Sequence, residues 1–293
     1  MTLPGEQGRR SLPSGELQPQ HRTLEAGLRV WVEEQTHQAI GYVEQLYTFG
    51  DRNRTGAAAD APRPLSIGYL ALVREAGAVP TPGVAWHGWY RFFPWEDWRA
   101  GRPAALDRIQ CLLNAWSDAA GDAAERMRRI QRVRLSFGGP GEAWNDERVL
   151  ERYELLYGIG LVPEPHRDGI VTWATPEDAA AGGGETMVAD HRRILATAIA
   201  RLRGKLKYRP VVFELMPPAF TFLQLQRTVE ALAGLRLHKP NFRRLVERQG
   251  LVEETGGTTT EAGGRPARLL RFRREVLVER PAPGVGLPRR KSA

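Results

Sequence analysis

The stretch "FTFLQLQRTVEALAG", Phe220–Gly234, is followed four residues later by "KPNFRRLVERQG", Lys239–Gly250. Both read as helices. Thr221 carries an N-cap hydroxyl and Gln224 lies three residues on, the spacing of a capping box. Leu225, Val229 and Leu232 recur at helical spacing and give the first helix one apolar face. In the second helix, Pro240 sits near the first helical position, where its missing N–H costs nothing, and Gly250 supplies the stop. Phe242, Leu245 and Val246 form its apolar face, which leaves Lys239, Arg243, Arg244 and Arg248 on the outer one.

Beyond Gly250, "LVEET" and "ARLLRFRRE" alternate like strands, and the glycine-rich "GGTTTEAGGRP" joins them as a hairpin. Helix, turn, basic helix and hairpin is the order of a winged helix-turn-helix. A basic helix of this kind can enter the major groove and read base edges. A hairpin tip with Arg265 and nearby Arg268 can reach phosphates or the minor groove. The candidate DNA contacts are therefore Lys239, Asn241, Arg243, Arg244, Arg248 and Arg265. The cations suit phosphates or guanine edges, and Asn241 suits a base or a phosphate. The plainer alternative is a winged helix that makes only protein contacts.

Charge divides the chain in the same way. Residues 1–191 hold 20 Lys and Arg against 26 Asp and Glu, whereas residues 192–280 hold 19 against 8. Arg289, Arg290 and Lys291 make the C-terminus basic as well. An acidic front and a basic back predict a front domain over 1–189, a polyanion-binding domain over 190–280 and a disordered basic tail over 281–293. With 293 residues, of which 42% are hydrophobic, the chain has room for more than one domain. The lone Cys111 excludes an internal disulfide and a cysteine zinc site, and fits a reducing cytoplasm. No apolar run approaches the roughly 18–20 residues of a membrane helix, and the N-terminus lacks the apolar core of a secretory signal. The six histidines show no ligand spacing, and no Ser/His/Asp set, phosphate loop or dinucleotide glycine fingerprint is present.

In the front part, residues 20–37 read as a helix with Leu24, Leu28 and Trp31 on one face. "YVEQLYTF" and "LSIGYLALVRE" read as strands around a Gly/Pro-rich loop. Residues 104–134 and 145–157 read as helices broken by "FGGPG", and "IVTWA" at 170–174 as a short strand. "AAAGGGE" at 179–185 reads as a loop, and about 190–208 as an arginine-rich helix. Trp86, Trp89, Trp95 and Trp98 are expected in a core or dimer interface before a base-stacking site.

The segment "DHRRILATAIARLRGKLKYRPVVFELMPPAFTFLQLQRTVEALAGLRLHKPNFRRLVERQG" resembles the C-terminal part of the Nudix-related transcriptional regulators. "YVEQLYTFGDRNR" followed by "LSIGYLALV" resembles their Nudix domain just after the Nudix box, and "WYRFFPWEDWR" is similar to an alphaproteobacterial branch that regulates NAD metabolism. The resemblance runs from about Leu12 to Phe272. It implies an α+β chain: a degenerate α/β/α Nudix-like sandwich, with a helical insertion at about 100–160, then a winged helix-turn-helix. It further implies a cytoplasmic homodimer that represses NAD synthesis or salvage genes from palindromic DNA. The front domain would sense a nucleotide such as ADP-ribose, NAD or ATP. The competing expectation is an active Nudix hydrolase of ADP-ribose or a related compound.

The Nudix box tests these alternatives. Laid on Leu12–Thr36, it keeps Gly15, Arg29, Glu33 and Glu34. His21 and Val30 stand where two glutamates belong, Trp31 fills the aliphatic position, and Thr36 and His37 replace the closing pair. Positions 30, 33 and 34 share one helix face, where three carboxylates would hold magnesium. With only Glu33 and Glu34 left, the reading is weak or vestigial metal binding, no required cofactor, and low or absent hydrolysis. A bridge between Glu33 and Arg29 is expected on that surface. Arg29, Asp51 and Arg52 are the candidate effector contacts, the last two in the loop after a strand. A rival register over Gly139–Leu161 has Tyr157 and Gly158 at the metal positions and is set aside. About a dozen residues precede Gly15 without strand character, so the sheet is expected to be incomplete or the true start to lie upstream.

Overall fold

The computed structural model describes residues 1–52, 63–74, 81–139, 141–181, 183–260, 266–279 and 284–285. Arg265 and nearly all of the predicted basic tail lie outside them. A small clip of β1 (Leu3–Pro4) and β2 (Arg10–Ser11) is followed by α1 (Leu24–Thr36). β3 (Tyr42–Phe49) and β4 (Ser66–Leu72) then pair antiparallel, from Tyr42 opposite Leu72 to Phe49 opposite Ser66. Six helices follow: α2 (Ala105–Asp118), α3 (Ala123–Phe137), α4 (Val149–Ile159), α5 (Pro163–Arg167), α6 (Pro176–Ala181) and α7 (His191–Leu206). The C-terminal unit contains α8 (Phe222–Ala233), α9 (Lys239–Gln249), β5 (Val252–Thr259), β6 (Ala267–Phe272) and α10 (Val276–Glu279).

The whole is an α+β chain. Among the described residues its sheets are all two-stranded, so helices supply most of the buried surface in the front part. One core joins Phe92, Phe93 and Trp95 to Ile109 and Leu113 of α2, Val133 of α3, and Tyr153 and Leu156 of α4. The other gathers Leu225, Val229, Phe242, Val246 and Leu270 from the C-terminal unit. Helix α7 belongs to both: Ala196 and Ile199 enter the first core, Leu202 and Leu206 the second. It also lies on the β3–β4 hairpin. A Cβ on Gly68 would sit 3.3 Å from Ile194, so glycine permits that approach.

Three local expectations are corrected. The helix expected over 104–134 is two helices, because the Asp122 side chain accepts the Glu125 N–H at 2.7 Å and starts α3 afresh. Residues 170–174 form no strand; the chain is tied instead by the Ala174 N–H to the carbonyl of Ile159 at 2.9 Å. The loop expected from 179 begins later, since α6 runs to Ala181. Of the four tryptophans, Trp95 is fully buried and Trp89 and Trp98 pack against the core, but Trp86 is 47% exposed.

His191 opens α7, and its Nδ1 accepts the Leu12 N–H at 2.9 Å. Burial lowers its pKa to about 4. The unfolded chain takes up this proton near the ordinary histidine value and the folded chain does not. Stability from this site is therefore full above about pH 6.5 and falls as pH drops toward 4, by about 3 kcal/mol in all. Urea unfolding at pH 7 and pH 4.5 is expected to show this loss, and His191→Gln to remove most of it.

Candidate nucleic-acid interface

Local signals place the two helices of the C-terminal unit. The Thr221 hydroxyl accepts the Gln224 N–H at 3.2 Å and the Gln224 side chain accepts the Thr221 N–H at 2.7 Å, closing the capping box. Gly234, at φ 71°, ends α8, and Gly250, at φ 58°, ends α9. Phe242 and Val246 anchor α9 in the core. Their burial turns Lys239, Asn241, Arg243, Arg244 and Arg248 outward, and all five are exposed. Arg244 donates to Asn241 Oδ1 at 2.6 Å. Arg243 pairs with Glu247 at 2.8 Å and lies 5.0 Å from the centre of the Phe222 ring.

The hairpin is longer than its sequence suggests. β5 continues through Gly256 and Gly257 to Thr259, with a register shift between Glu254 and Thr258. A single antiparallel bridge ties the start of α8 to the wing, because Phe220 and Leu270 exchange both backbone hydrogen bonds. Arg268 pairs across the wing with Glu254 and Arg271 with Glu253, so these cations already have partners.

A cleft of about 890 Å³ runs between α9 and the Trp98–Gly101 loop of the front part. Arg99, Arg236, His238, Asn241, Arg244 and Arg248 line it. Arg99 is held by Asp97 at 2.8 Å and lies 4.7 Å from the centre of the Tyr90 ring. Sequence reasoning missed Arg236, His238 and Arg99. The first two sit in the turn between the helices, where a search confined to the basic helix did not look. Arg99 reaches the cleft only through tertiary packing.

The remnant box is a separate feature. The box glycine, Gly15, lies against the Trp31 indole so closely that a Cβ would stand 2.2 Å from it. Trp31 Nε1 donates to the Glu16 carbonyl at 2.9 Å, and His21 meets the Trp31 ring edge-on with centres 6.3 Å apart. His21 Nδ1 also accepts the Gln18 N–H at 3.2 Å. Two positions that depart from a working box thus pack on each other. Glu33 and Glu34 are exposed, with Val30, 41% exposed, at the third metal position. Two solvated carboxylates beside a valine do not fit a magnesium site. Among the described residues no group of three or more His, Cys, Asp or Glu side chains is placed to hold a metal.

Arg29 does not bridge to Glu33. It pairs with Glu25 at 2.8 Å and donates to the carbonyls of Ile40 and Gly41, which ties α1 to the start of β3. Asp51 pairs with Arg193 of α7 at 2.6 Å, and Arg52 is exposed beside it in sequence. The expected effector contacts therefore sit at the two ends of the β3 strand, Arg29 near its start and Asp51 and Arg52 just past its end.

Residues 212–272 match the model of the NrtR DNA-binding winged helix domain. This segment is similar to an NrtR-type winged helix. It includes α8, α9 and both wing strands, and its start at Val212 falls just after α7. An ADPR responsive transcriptional repressor, NtrR, of Acinetobacter baylyi is 45% identical over 83 residues, 28% of this chain. The chain spans about a third, 33%, of that relative's length. The crystal structure of Shewanella oneidensis NrtR complexed with a 27mer DNA aligns over 94% of this chain and 87% of its own, at 19% identity and a TM-score of 0.49. A second crystal structure of Shewanella oneidensis NrtR aligns over 92% of this chain and 82% of its own, at 20% identity and a TM-score of 0.49. Among the described residues, no helix beside the NrtR-type domain or elsewhere is long and apolar enough to cross a membrane.

Proposed function

We propose that the chain is a homodimeric repressor of NAD synthesis or salvage genes, with a front domain that senses a nucleotide. The observation that carries this reading is the exposed basic face of α9 inside an NrtR-type winged helix. The helix presents cations and one amide on a rigid scaffold, as major-groove reading requires. Lys239, Asn241, Arg243, Arg244 and Arg248 read the groove or grip its edges. Arg265, which lies outside the described residues, is assigned to an adjacent phosphate as a further part of this proposal. The cleft adds Arg236, His238 and Arg99 as phosphate contacts that set register without reading sequence.

ADP-ribose is the first effector to test, because the Acinetobacter relative responds to it by name. Arg52 and the Asp51–Arg193 pair, close to the N-terminus of α7, are the groups proposed to meet its phosphates or ribose. A helix that enters both cores gives that end of the front domain a direct mechanical route to α8.

The test is fluorescence anisotropy of the full chain on duplex DNA from upstream of its own NAD-synthesis genes, with a salt titration. Expected are a Kd of about 10 nM or tighter at physiological salt and a steep loss of affinity with salt. ADP-ribose, NAD and ATP are then added in turn, and one of them is expected to change that Kd by about fivefold or more. Equal affinity for unrelated DNA would overturn the reading, as would no response to any of the three nucleotides.

A further inference from the structure

The aromatic stretch Trp89–Trp98 belongs to the front part, yet it closes on the end of the first helix of the winged domain. Tyr90 Oη donates to the Ala231 carbonyl at 2.6 Å. The Trp98 N–H donates to the Gly234 carbonyl at 2.8 Å. Arg203 of α7 donates from Nε to the Leu232 carbonyl at 3.1 Å. The last carbonyls of a helix have no partner within it. In α8 two of them, and the cap residue beyond, are satisfied from outside the winged domain.

These donors are held by one buried carboxylate. Glu96 is fully buried and takes Arg152 of α4 at 2.5 and 2.8 Å and Arg203 at 2.6 Å. Arg203 also donates to the Asp146 carbonyl, and Arg152 to those of Ser136 and Asn145. The ends of α3 and α8, together with α4 and α7, therefore meet at Glu96. Gly234 is required there twice over. Its φ is 71°, and a Cβ would stand 2.4 Å from the Glu96 carbonyl oxygen and 2.9 Å from Tyr90 Oη. Immediately beyond, Leu235 bridges to Trp98, and the turn from Leu235 to His238 leads directly into α9.

We propose that this contact is a latch that positions the recognition helix. Tyr90, Glu96 and Arg203 are positioning residues: they touch no DNA, but they fix the turn before α9 to the front domain. Any movement of α4 or α7 relative to the Trp89–Trp98 segment then changes the pose of α9. The latch rests on the DNA-binding reading for its purpose but not for its existence.

Tyr90→Phe tests it with the least disturbance, since the ring stays and only the hydroxyl goes, with its bond to the Ala231 carbonyl and the longer one it accepts from Arg203 at 3.4 Å. Amide exchange of the full chain is compared with wild type over residues 235–242, alongside operator affinity as a function of salt. Exchange over 235–242 is expected to quicken about fivefold and operator affinity to fall about fivefold. The slope of log affinity against log salt is expected to stay at the wild-type value, because no phosphate contact is removed. Gly234→Ala is expected to give the same pattern with a larger change.

Unchanged exchange over 235–242 overturns the latch. Faster exchange with unchanged affinity overturns its positioning role, and a shallower salt slope shows instead that Tyr90 acts at a phosphate. If the wild-type chain binds no duplex DNA at all, the functional reading fails, and the exchange measurement still decides whether the latch exists.

Discussion

Glu96→Ala is expected to lower the free energy of unfolding by about 3–5 kcal/mol, the cost of leaving buried cations without their counter-charge. Arg152 of α4 and Arg203 of α7 are both fully buried with Glu96. Burial by itself would raise the Glu96 pKa, but the two guanidinium groups hold it below the usual carboxylate value. The folded pKa being depressed, this contribution is present at neutral pH and is lost only as pH falls below the ordinary carboxylate range. Glu96→Gln keeps the shape and removes the charge. It is expected to destabilise in the same direction, since the amide nitrogen would face a guanidinium. Asp97→Ala is the control: its pair with Arg99 is half-exposed, so about 1 kcal/mol or less is at stake. Urea unfolding at pH 7 followed by circular dichroism checks all three. If Glu96→Ala cost no more than Asp97→Ala, the buried cluster would not be holding the two cores together.

That cluster also shows where reading the chain in one dimension stops. The winged helix was legible because its signals are local. Thr221 and Gln224 are three residues apart, Pro240 and Gly250 bracket one helix, and Phe242 and Val246 share one turn. The same kind of signal located β3 and β4. Glu96, by contrast, meets partners 56 and 107 positions away. Its setting, "FFPWEDW", reads as an aromatic run with an ordinary acidic pair. Nothing in the spacing separates the buried Glu96 from the half-exposed Asp97 beside it. Arg29 fails for a subtler reason. Both Glu25 and Glu33 lie at i±4, so periodicity allows either pair. The choice of Glu25 accompanies the turn of the guanidinium toward Ile40 and Gly41, which only the path of the chain after α1 makes available.

Replacing Arg243 and Arg244 together by alanine is expected to weaken operator binding by about a hundredfold or more, as loss of two cationic contacts at about 1–3 kcal/mol each implies. Both side chains are exposed on α9, so the fold is expected to change by only about 0.5 kcal/mol. The two contributions differ in kind. Arg244 is held by Asn241, which orients its fork before DNA arrives, so its loss removes a prepared contact and releases the amide. Arg243 neutralises Glu247 on the same face, and its loss leaves that carboxylate beside the phosphates. Arg243→Ala alone is therefore expected to cost more at low salt than at high salt. Arg244→Ala, if it reads a guanine, is expected to relax sequence preference as well as affinity. If both are phosphate contacts, the double variant flattens the slope of log affinity against log salt by about 1.8. Anisotropy titrations on operator and scrambled duplexes separate these cases. An operator Kd within about threefold of wild type, with the slope unchanged, would show that α9 does not face DNA with this surface.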